Sequence, residues 1–521
     1  MRTVTELLLA RADDDHPGLR SADRTWSWAE HVRESGRYAA ALLRMRRSGP
    51  FHVGLLADNV PEFSFLLGAC AFAGAVLVGL NPTRRGPALE RDVRHADCQF
   101  VLTTPEYGDI VPDAVPLAEL AVPDETVDPV PATPDDLLML IFTSGTSGEP
   151  KAVRCTHAKI SFPGEMLAER FDLGPSDTVY LSMPMFHSNA IMAGWAVGLA
   201  AGATLALRDR FSASGFLPDV RRFGATYANY VGRPLSYVLA TPERDDDADN
   251  PLRIVYGNEG AEADIAAFAR RFGVHVVDGF GSTEGGIAVS RGPDTPPGAL
   301  GRLTEGLAIV DETGEPCPVA EFDDAGRLVN ADAIGELVNT TGAGWFAGYY
   351  NDPEATEERL RGGWYHSGDL AYADADGFCY FAGRTGDWLR VDGENLGTAP
   401  IERVLLRHPD LAEVAVYAVP DARVGDQVMA AVVPKEGAVP DLALFHRFLG
   451  GQADLGPKQW PRYVRVAGGL PKTATYKVLK RVLVGERWNC AEPVWWRPPG
   501  HGEFMPLNSG QVAALEAGLA R

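Results

Sequence analysis

The sequence predicts an α/β protein in which a large N-terminal domain of parallel sheets flanked by helices precedes a small α+β C-terminal domain. The chain has 521 residues, which is too long for one compact core. Short apolar runs alternate with helical stretches as far as Val289, a pattern typical of parallel sheets covered by helices. After Pro293, glycine and proline become frequent and short β-like runs appear, which indicates a change of architecture.

The elements follow in order from these patterns. Those predicted before the change are a helix within 25–50, a strand at 52–59, a helix and then a strand within 61–81, and a strand at 98–104. From about Arg384 a new unit begins, with a helix and then strands at 413–421 and 426–434. We place the boundary at 383–387, GRTGD, which gives domains at 1–383 and 384–521.

Composition and charge narrow the class of protein. The chain is 45% hydrophobic and 23% charged, as in a soluble globular protein, and its net charge is −22. An acidic protein is a poor partner for nucleic acid, although a local basic pocket still suits a nucleotide. The six cysteines show neither C-x-x-C nor zinc spacing, and the N-terminus lacks signal-peptide features. We therefore expect reduced thiols and a cytoplasmic location.

The uncharged segment at 188–207 is long enough to cross a bilayer. Gly202 interrupts it, however, and the run that follows is typical of a short buried strand. We therefore predict a buried helix, a turn and a strand, and no transmembrane segment.

The stretch TSGTSGEPK, which ends at Lys151, has the composition of a phosphate-binding loop. Small residues at 143–148 allow backbone N–H groups to close around an anion, and Lys151 adds charge. The stretch nevertheless departs from G-x-x-x-x-G-K-[ST], because Pro150 and Ala152 occupy two defining positions. By composition alone, a flexible Ser/Gly turn explains the stretch as well.

Further motifs follow, each with a structural alternative. YGNEGAE at 256–262 and DGFGSTEGG at 278–286 are strands ending in Gly-rich turns, where a flat base can approach the backbone, and Glu284 offers a carboxylate for Mg²⁺. An isolated STEG is otherwise a generic turn. His187, in MPMFHSNA, could be structural. Asp369 can accept from two hydroxyls at once. Lys477 could be a solvated helix lysine like Lys480.

Taken in order, these motifs resemble the adenylate-forming superfamily of acyl-CoA synthetases, peptide-synthetase adenylation domains and luciferases. That family's loop has the form T-S-G-[ST]-T-G-x-P-K-G, from which Ser147 and Ala152 are mild departures. The resemblance extends from about residue 25 to 497. GRTGDWLRVDGEN and GNEGAEADIAAFARRFG resemble most the fatty-acid–CoA ligases of the fatty-acid-transport-protein and very-long-chain acyl-CoA synthetase branch.

The resemblance implies a role for each matching residue, together with a β-barrel-like subdomain and a mobile C-terminal domain. The implied catalytic residues are Lys477, Glu284 (which also holds Mg²⁺), Thr283 and His187. The implied ATP-binding residues are Thr143, Ser144, Gly145, Thr146, Ser147, Gly148, Lys151, Gly257, Asn258, Glu259, Asp278, Gly279, Phe280, Gly281, Asp369 and Arg384. The hinge falls at Gly386 and Asp387, and Tyr476 replaces the family's glycine before the lysine.

The acid-binding pocket is the least specific part of this assignment. Candidates to line it are Met185, Phe186, Asn189, Met192, Tyr227 and Tyr230. They are mostly aromatic or apolar, which suits an acyl chain and an aryl acid equally, and each of them could also belong to the ordinary core.

The implied reaction has two steps. An acid attacks the α-phosphorus of Mg·ATP to give an acyl-adenylate and pyrophosphate, and a thiol, most simply that of CoA, then takes the acyl group. The sequence leaves open a carrier-protein thiol, an amine, or a diazotase that adenylates nitrite for an aryl amine. It also leaves open an inactive relative used as a binding module and a luciferase-like oxygenase. We expect a small-molecule acid as partner, no nucleic acid, and leave a homodimer open.

Overall fold

The computed structural model describes residues 1–143, 150–292, 294–324, 328–384, 388–391, 394–421, 425–438, 441–473, 477–498 and 503–519. The chain packs as two compact units. Unit 1 comprises Met1–Ala288 and Ala343–Gly362, and unit 2 comprises Val289–Gly342 and Gly363–Arg521. The predicted division at 383–384 concerns movement about a hinge, and it stays a prediction.

The first part of the chain alternates strands with helices, as predicted. Its elements are α1 Val4–Leu9, β1 Pro17–Arg20, β2 Thr25–Ser27, α2 Trp28–Met45, β3 His52–Leu56, α3 Pro61–Ala73, β4 Val76–Gly79, α4 Gly86–His95, β5 Cys98–Thr103, β6 Val115–Pro116, β7 Leu137–Thr143, β8 Lys151–Thr156, α5 His157–Arg170, β9 Thr178–Leu181, α6 Ser188–Ala190, α7 Ala196–Ala201, β10 Thr204–Leu207, α8 Phe216–Phe223, β11 Tyr227–Val231, α9 Pro234–Leu239, β12 Ile254–Asn258, α10 Glu262–Phe272, β13 His275–Gly281 and β14 Ala288–Ser290.

The rest of the chain is richer in antiparallel strands. Its elements are β15 Gly301–Arg302, β16 Leu307–Val310, β17 Gly335–Asn339, α11 Pro353–Arg359, β18 Tyr365–Ala373, β19 Phe378–Arg384, β20 Trp388–Val391, β21 Glu394–Gly397, α12 Thr398–Leu405, β22 Leu411–Asp421, β23 Gly425–Pro434, α13 Leu442–Gly450, β24 Tyr463–Val466, α14 Lys480–Glu486, β25 Val494–Trp496, β26 Met505–Pro506 and α15 Ser509–Leu519.

Unit 1 contains two largely parallel sheets, which confirms the predicted fold class. In one sheet the strand order is β6-β5-β3-β4-β7-β8, and only the β7–β8 pair is antiparallel. In the other, β13-β12-β11-β9-β10-β1 run parallel and β2 pairs antiparallel with β1. The carboxyl ends of parallel strands meet at one edge of a sheet, which is where ligands bind in α/β folds.

The uncharged segment at 188–207 has the predicted form of helix, turn and strand. It comprises α6, one turn of π-helix at Ile191–Trp195, α7, Gly202 in the left-handed conformation (φ 68°) and β10. In the part of the chain that the structure describes, no helix is long and apolar enough to span a membrane.

Close helix contacts fix the core of unit 1. Helices α2 and α3 cross at Gly68, where an added Cβ would lie 2.3 Å from Oγ of Ser35. Helix α2 begins with a capping box, because the Ser27 side chain accepts from the Glu30 N–H and the Glu30 carboxylate accepts from the Ser27 N–H. The small residues Gly68 and Ser35 therefore set the distance between α2 and α3.

Unit 2 contains an antiparallel sheet and a mixed sheet. The five-stranded sheet has the order β15-β19-β18-β17-β16 and occupies the part of the chain in which a β-barrel-like subdomain was predicted. The other sheet has the order β21-β20-β23-β24-β25-β26, with β22 also paired to β23. Helices α12 and α13 pack their apolar faces on it through residues such as Ile401, Leu405 and Phe445. The helix and two strands predicted after Arg384 correspond to α12, β22 and β23.

Candidate functional site

The phosphate-loop stretch falls between strands β7 and β8 in the sequence. Thr143 ends β7, Lys151 begins β8, and the two are register partners in the antiparallel pair. The predicted residues between them, which are Ser144, Gly145, Thr146, Ser147 and Gly148, lie outside the described residues. Nζ of Lys151 is 3.9 Å from Oε2 of Glu358 and 5.2 Å from the centre of the Tyr349 ring. The Lys151 ammonium group therefore places a positive charge at the start of β8.

The turn at Glu284 lies beside this pair of strands. Its Oε1 is 3.5 Å from Oγ1 of Thr143 and accepts a hydrogen bond of 3.0 Å from the Tyr349 hydroxyl. The buried Lys159 donates from Nζ to the backbone carbonyl of Glu284 at 2.8 Å and to that of Arg154 at 3.3 Å. Tyr349 and Lys159 were not predicted, because no motif includes them.

Glu284 is held in its charged form. Burial acts to raise the pKa of its carboxyl group, but a backbone hydrogen bond, the Arg359 guanidinium, the Tyr349 hydroxyl and the Lys159 ammonium together lower it below the usual value. An ionised carboxylate suits Mg²⁺, which takes most of its other ligands from water and phosphate. Among the described residues, no group of three or more His, Cys, Asp and Glu side chains forms a metal cage.

The His187 segment reaches the same turn. The Ser188 hydroxyl and Oγ1 of Thr283 are 2.7 Å apart, and the His187 ring packs on Phe186 with 4.3 Å between centroids. Thr283, Glu284 and the segment that carries His187 are therefore brought together in unit 1.

Asn59, at the end of the loop after β3, fixes the preceding part of that segment. Its Nδ2 donates to the carbonyls of Met183 (2.9 Å) and Arg208 (3.1 Å), and its Oδ1 accepts from the Met185 N–H at 2.8 Å. The buried amide thereby uses both donors and its acceptor on backbone groups. Asn59 was not predicted as a site residue, because no motif includes it and it lies at the end of the strand predicted at 52–59.

The predicted adenine-contacting residues lie at the carboxyl ends of neighbouring strands β12 and β13. Gly257 and Asn258 end β12 and Glu259 follows it, whereas the last four residues of β13 are Asp278, Gly279, Phe280 and Gly281. Asp278 Oδ2 accepts from the Tyr230 hydroxyl (2.5 Å) and from the Gly260 N–H (2.9 Å). Gly257 is required at its position, since an added Cβ would lie 2.2 Å from the Tyr230 carbonyl oxygen.

The predicted pocket residues fall into two groups. Met185, Phe186, Tyr227 and Tyr230 are buried, whereas Asn189 and Met192 are half-buried. The Asn189 amide is held in a network, because Nδ2 donates to the Tyr230 carbonyl (3.0 Å) and Oδ1 accepts from Asn229 (2.6 Å). The Tyr227 hydroxyl donates to the Ala193 carbonyl at 2.8 Å.

A mostly apolar cavity lies beside β11. Side chains that line it include Met183, Phe211, Phe216, Tyr230, Leu235, Val238 and Phe268. None of the described residues that line it is charged. Most of these side chains belong to the buried core beside β11, and the cavity has room for no more than about a single water.

The remaining predicted site residues belong to unit 2. Asp369 and Arg384 face each other across the β18–β19 pair, and Oδ1 of Asp369 is 3.3 Å from Nε of Arg384. Lys477 is hydrogen-bonded to Thr473, whose N–H donates to the Lys477 carbonyl at 2.8 Å. Lys480 differs from the solvated lysine expected from the sequence, because its Nζ contacts Glu402 at 2.9 Å. The predicted hinge residues Gly386 and Asp387 lie outside the described residues.

The chain matches two family models and several characterised relatives. The model described as AMP-binding enzyme matches residues 9–350, and the AMP-binding enzyme C-terminal domain model matches 400–477. The medium/long-chain-fatty-acid–CoA ligase FadD17 of Mycobacterium marinum is 56% identical over 504 residues, covering 95% of this chain and 98% of the relative. The steroid-22-oyl-CoA synthetase of Rhodococcus jostii is 45% identical over 542 residues, covering 99% and 96%.

Solved structures share the fold. ATP-bound MatB from Rhodopseudomonas palustris superposes with a TM-score of 0.81 at 24% identity, covering 93% of this chain and 99% of the other. The o-succinylbenzoate CoA synthetase MenE from Bacillus subtilis, bound to its acyl-adenylate, gives 0.79 at 25% identity, covering 93% and 98%. The resemblance found in the motifs is thus confirmed, and the chain belongs to the AMP-binding enzyme family of adenylate-forming enzymes.

Proposed function

We propose that the chain, an ATP-dependent acid–CoA ligase, activates an acid with a long apolar body, of the medium- or long-chain fatty acid class. The enzyme class is the one predicted from the sequence, and relatives of 45% to 57% identity, named as CoA ligases and synthetases, confirm it. What supports the proposed acid is the similarity to relatives named medium/long-chain-fatty-acid–CoA ligase, which are 56% and 57% identical over 95% of this chain.

A steroid side-chain acid is the second candidate. The relative named steroid-22-oyl-CoA synthetase aligns along 99% of this chain. A steroid carboxylate and a fatty acid share a carboxyl group on an apolar body, so both fit an apolar lining. We favour the fatty acid because the relatives that carry that name are more similar, at 56% and 57% identity.

The chain's own residues supply charge and position to the first step. Lys151 and the backbone N–H groups of the phosphate-loop stretch would stabilise the β- and γ-phosphates that leave as pyrophosphate. The acid is already ionised near neutral pH and attacks the α-phosphorus without a general base. Asp369 would accept the ribose hydroxyls, and Thr283 would contact the α-phosphate. The resemblance assigns to Lys477 the stabilisation of charge at the attacked phosphorus.

Glu284 is the residue that would hold Mg²⁺. The ionised carboxylate and its neighbouring hydroxyl donors fit a hard cation that retains waters. When bound, the ion neutralises phosphate charge. Titrating Mg²⁺ against the rate of pyrophosphate release tests this assignment, and full activity in the presence of excess EDTA would contradict it.

The second step transfers the acyl group to CoA. The thiol releases its proton to solvent and attacks the adenylate carbonyl, the C–S bond forms, and AMP leaves with the electrons of the broken C–O bond. By resemblance, rotation about Gly386–Asp387 precedes this attack. All six cysteines are free thiols, which supports our proposal of a cytoplasmic location. Light scattering of the purified protein tests a homodimer.

One experiment tests the function. We would measure pyrophosphate release, AMP and acyl-CoA with fatty acids of increasing length, a steroid carboxylate, aryl acids, and nitrite with an aryl amine, each with and without CoA. We expect acyl-CoA to form from medium- or long-chain acids with the highest kcat/KM. Turnover with nitrite and amine that does not need CoA, or a preference for aryl acids, would overturn the proposal.

A further inference from the structure

A single turn of π-helix interrupts the helix that follows His187. The Ala196 N–H donates to the carbonyl of Ile191, five residues earlier, whereas an α-helix would pair it with Met192. Each residue of an α-helix turns by about 100°, so the extra residue changes the orientation of one end of the helix relative to the other by about that amount.

Both ends of this helix have fixed partners. At the first end, Ser188 lies 2.7 Å from Thr283 and Asn189 donates to the Tyr230 carbonyl. At the second end, α7 packs closely, because a Cβ added at Gly198 would lie 2.3 Å from Cδ2 of Leu205. With α-geometry throughout, the same sequence would present only one of these two faces correctly. The π turn therefore allows the first end to contact Thr283 while the second end packs in the core.

Side chains from three other elements hold the turn. The Tyr227 hydroxyl on β11 donates to the carbonyl of Ala193 at 2.8 Å. Nε1 of Trp195 donates to the Ser64 hydroxyl of α3 at 2.7 Å, and that hydroxyl is 2.7 Å from Nε2 of His31 on α2. All four side chains are fully buried. One contact therefore reaches a backbone carbonyl of the turn, at Ala193, and another reaches a side chain of the turn, Trp195.

The close packing of the π turn against the sheet requires a residue without a side chain at Gly194. An added Cβ there would lie 2.5 Å from Cδ2 of Leu181 and 3.0 Å from Oδ1 of Asn229. The turn is therefore pressed against strands β9 and β11 as well as anchored to them. Met192, a predicted pocket residue, lies within the turn and is half-buried, so the geometry of the turn decides where its side chain points.

We propose that Tyr227 is a positioning residue that sets the acid preference by holding the Ala193 carbonyl and, through it, the π turn that carries Met192. The inference rests on the proposed function, which it refines. Tyr227 acts through the turn, since its hydroxyl is used by Ala193 and its ring is enclosed. Losing the hydroxyl removes the side-chain hydrogen bond that ties the Ala193 carbonyl to β11, which favours rearrangement of the turn.

The test compares Tyr227→Phe with the wild-type enzyme across the fatty acid series. We expect the ratio of kcat/KM between the best acid and a shorter one to change by about tenfold, the scale of discrimination by an apolar pocket, while the KM for ATP is unchanged. Ser64→Ala, which removes the partner of Trp195, should change the ratio in the same direction, and it decides the matter if Tyr227→Phe does not fold.

Tyr180→Phe is the matched control. Tyr180 lies on the neighbouring strand β9, is equally buried, and loses a comparable hydroxyl bond, to Asp219 at 3.1 Å. We expect it to keep the wild-type ratio. An unchanged ratio in both Tyr227→Phe and Ser64→Ala, or an equal change in Tyr180→Phe, would overturn the inference.

Amide hydrogen exchange tests the role of Tyr227 independently of the proposed function. If the wild-type enzyme forms no acyl-CoA from any acid, the proposed function fails before any variant is compared. The turn is then tested by hydrogen exchange in the intact chain. Faster exchange across 188–201 in Tyr227→Phe, but not in Tyr180→Phe, supports the role of Tyr227 in holding the turn, and equal exchange contradicts it.

Discussion

Glu284 shows how single residues far apart in the chain build one site. Its carboxylate is positioned by Tyr349 and its backbone carbonyl by Lys159, so the side chain and the main chain of the turn are fixed separately. Burial lowers the pKa of the Lys159 ammonium, although Cys155 and Glu284 act to raise it. A metal-binding carboxylate depends on such supporting hydrogen bonds for its orientation.

We predict that Tyr349→Phe weakens the binding of Mg²⁺, so that the enzyme needs a higher Mg²⁺ concentration. The substitution removes the hydroxyl that orients Oε1 of Glu284, so the Mg²⁺ concentration for half-maximal rate should rise about tenfold, with little change in the KM for the acid. Tyr350→Phe is the matched control, because the next residue donates instead to Asp97 at 2.8 Å. An equal effect of both variants would contradict the role given to Tyr349.

Lys477 is predicted to act in the first half-reaction only. Lys477→Ala should cripple formation of the adenylate, because charge at the attacked phosphorus is left uncompensated, while thiolysis of a supplied acyl-adenylate is largely retained. Lys480→Ala is a suitable comparison, since that lysine pairs with Glu402 and should leave the ratio of the two rates unchanged. Equal loss of both half-reactions in Lys477→Ala would count against the assignment.

At the scale of elements, the contact between α2 and α3 depends on a missing side chain. Gly68→Ala places Cβ against Oγ of Ser35, and overpacking of this kind costs about 1–3 kcal/mol. We expect the free energy of unfolding, from urea titrations, to fall by that amount and to recover in the double variant with Ser35→Gly.

Gly485→Ala provides the contrast for that prediction. Gly485 lies in α14, and an added Cβ would have nothing within 4 Å. The substitution should therefore be neutral or stabilising, as expected for alanine in a helix. Destabilisation of similar size in both variants would show that steric contact is not the cause.

Much of this organisation could be predicted from the sequence, because motifs are local. The TSGTSGEPK and DGFGSTEGG stretches predicted Thr143, Lys151 and Glu284, and the structure brings them together. Lys159, Tyr349 and Asn59 could not be predicted, since each acts across a long separation on a group outside its own motif. The π turn was also missed, because an apolar helical pattern does not encode which carbonyl each N–H reaches.

At the scale of the whole molecule, the chain crosses between the two units more than once. Residues 343–362 return to unit 1 after a stretch of unit 2, a pairing that depends on long-range contacts and leaves no trace in local composition. The change of texture after Pro293 nevertheless lies close to the first crossing, at Val289. The sequence therefore shows a change of composition near this crossing, whereas the domain boundary at 383–387 stays a prediction.

The hinge prediction belongs to this scale. Gly386→Pro fixes φ near −65° at a position that the resemblance assigns to a large backbone rotation. We expect adenylate formation to persist while transfer to CoA is lost, as measured by the two half-reactions separately. Gly386→Ala keeps the N–H and should give a milder loss. Slowing of adenylate formation alone would show that the hinge is misplaced.

The π turn has a consequence for how such a chain can change in length. Deleting a residue from an α-helix rotates everything beyond the deletion. Deletion of one residue within 191–195 instead converts the π turn into an α turn and leaves both flanking faces in register. The helix thus has a point where evolution can remove a single codon, moving the side chain at Met192 while the contacts of Ser188 and Gly198 are preserved.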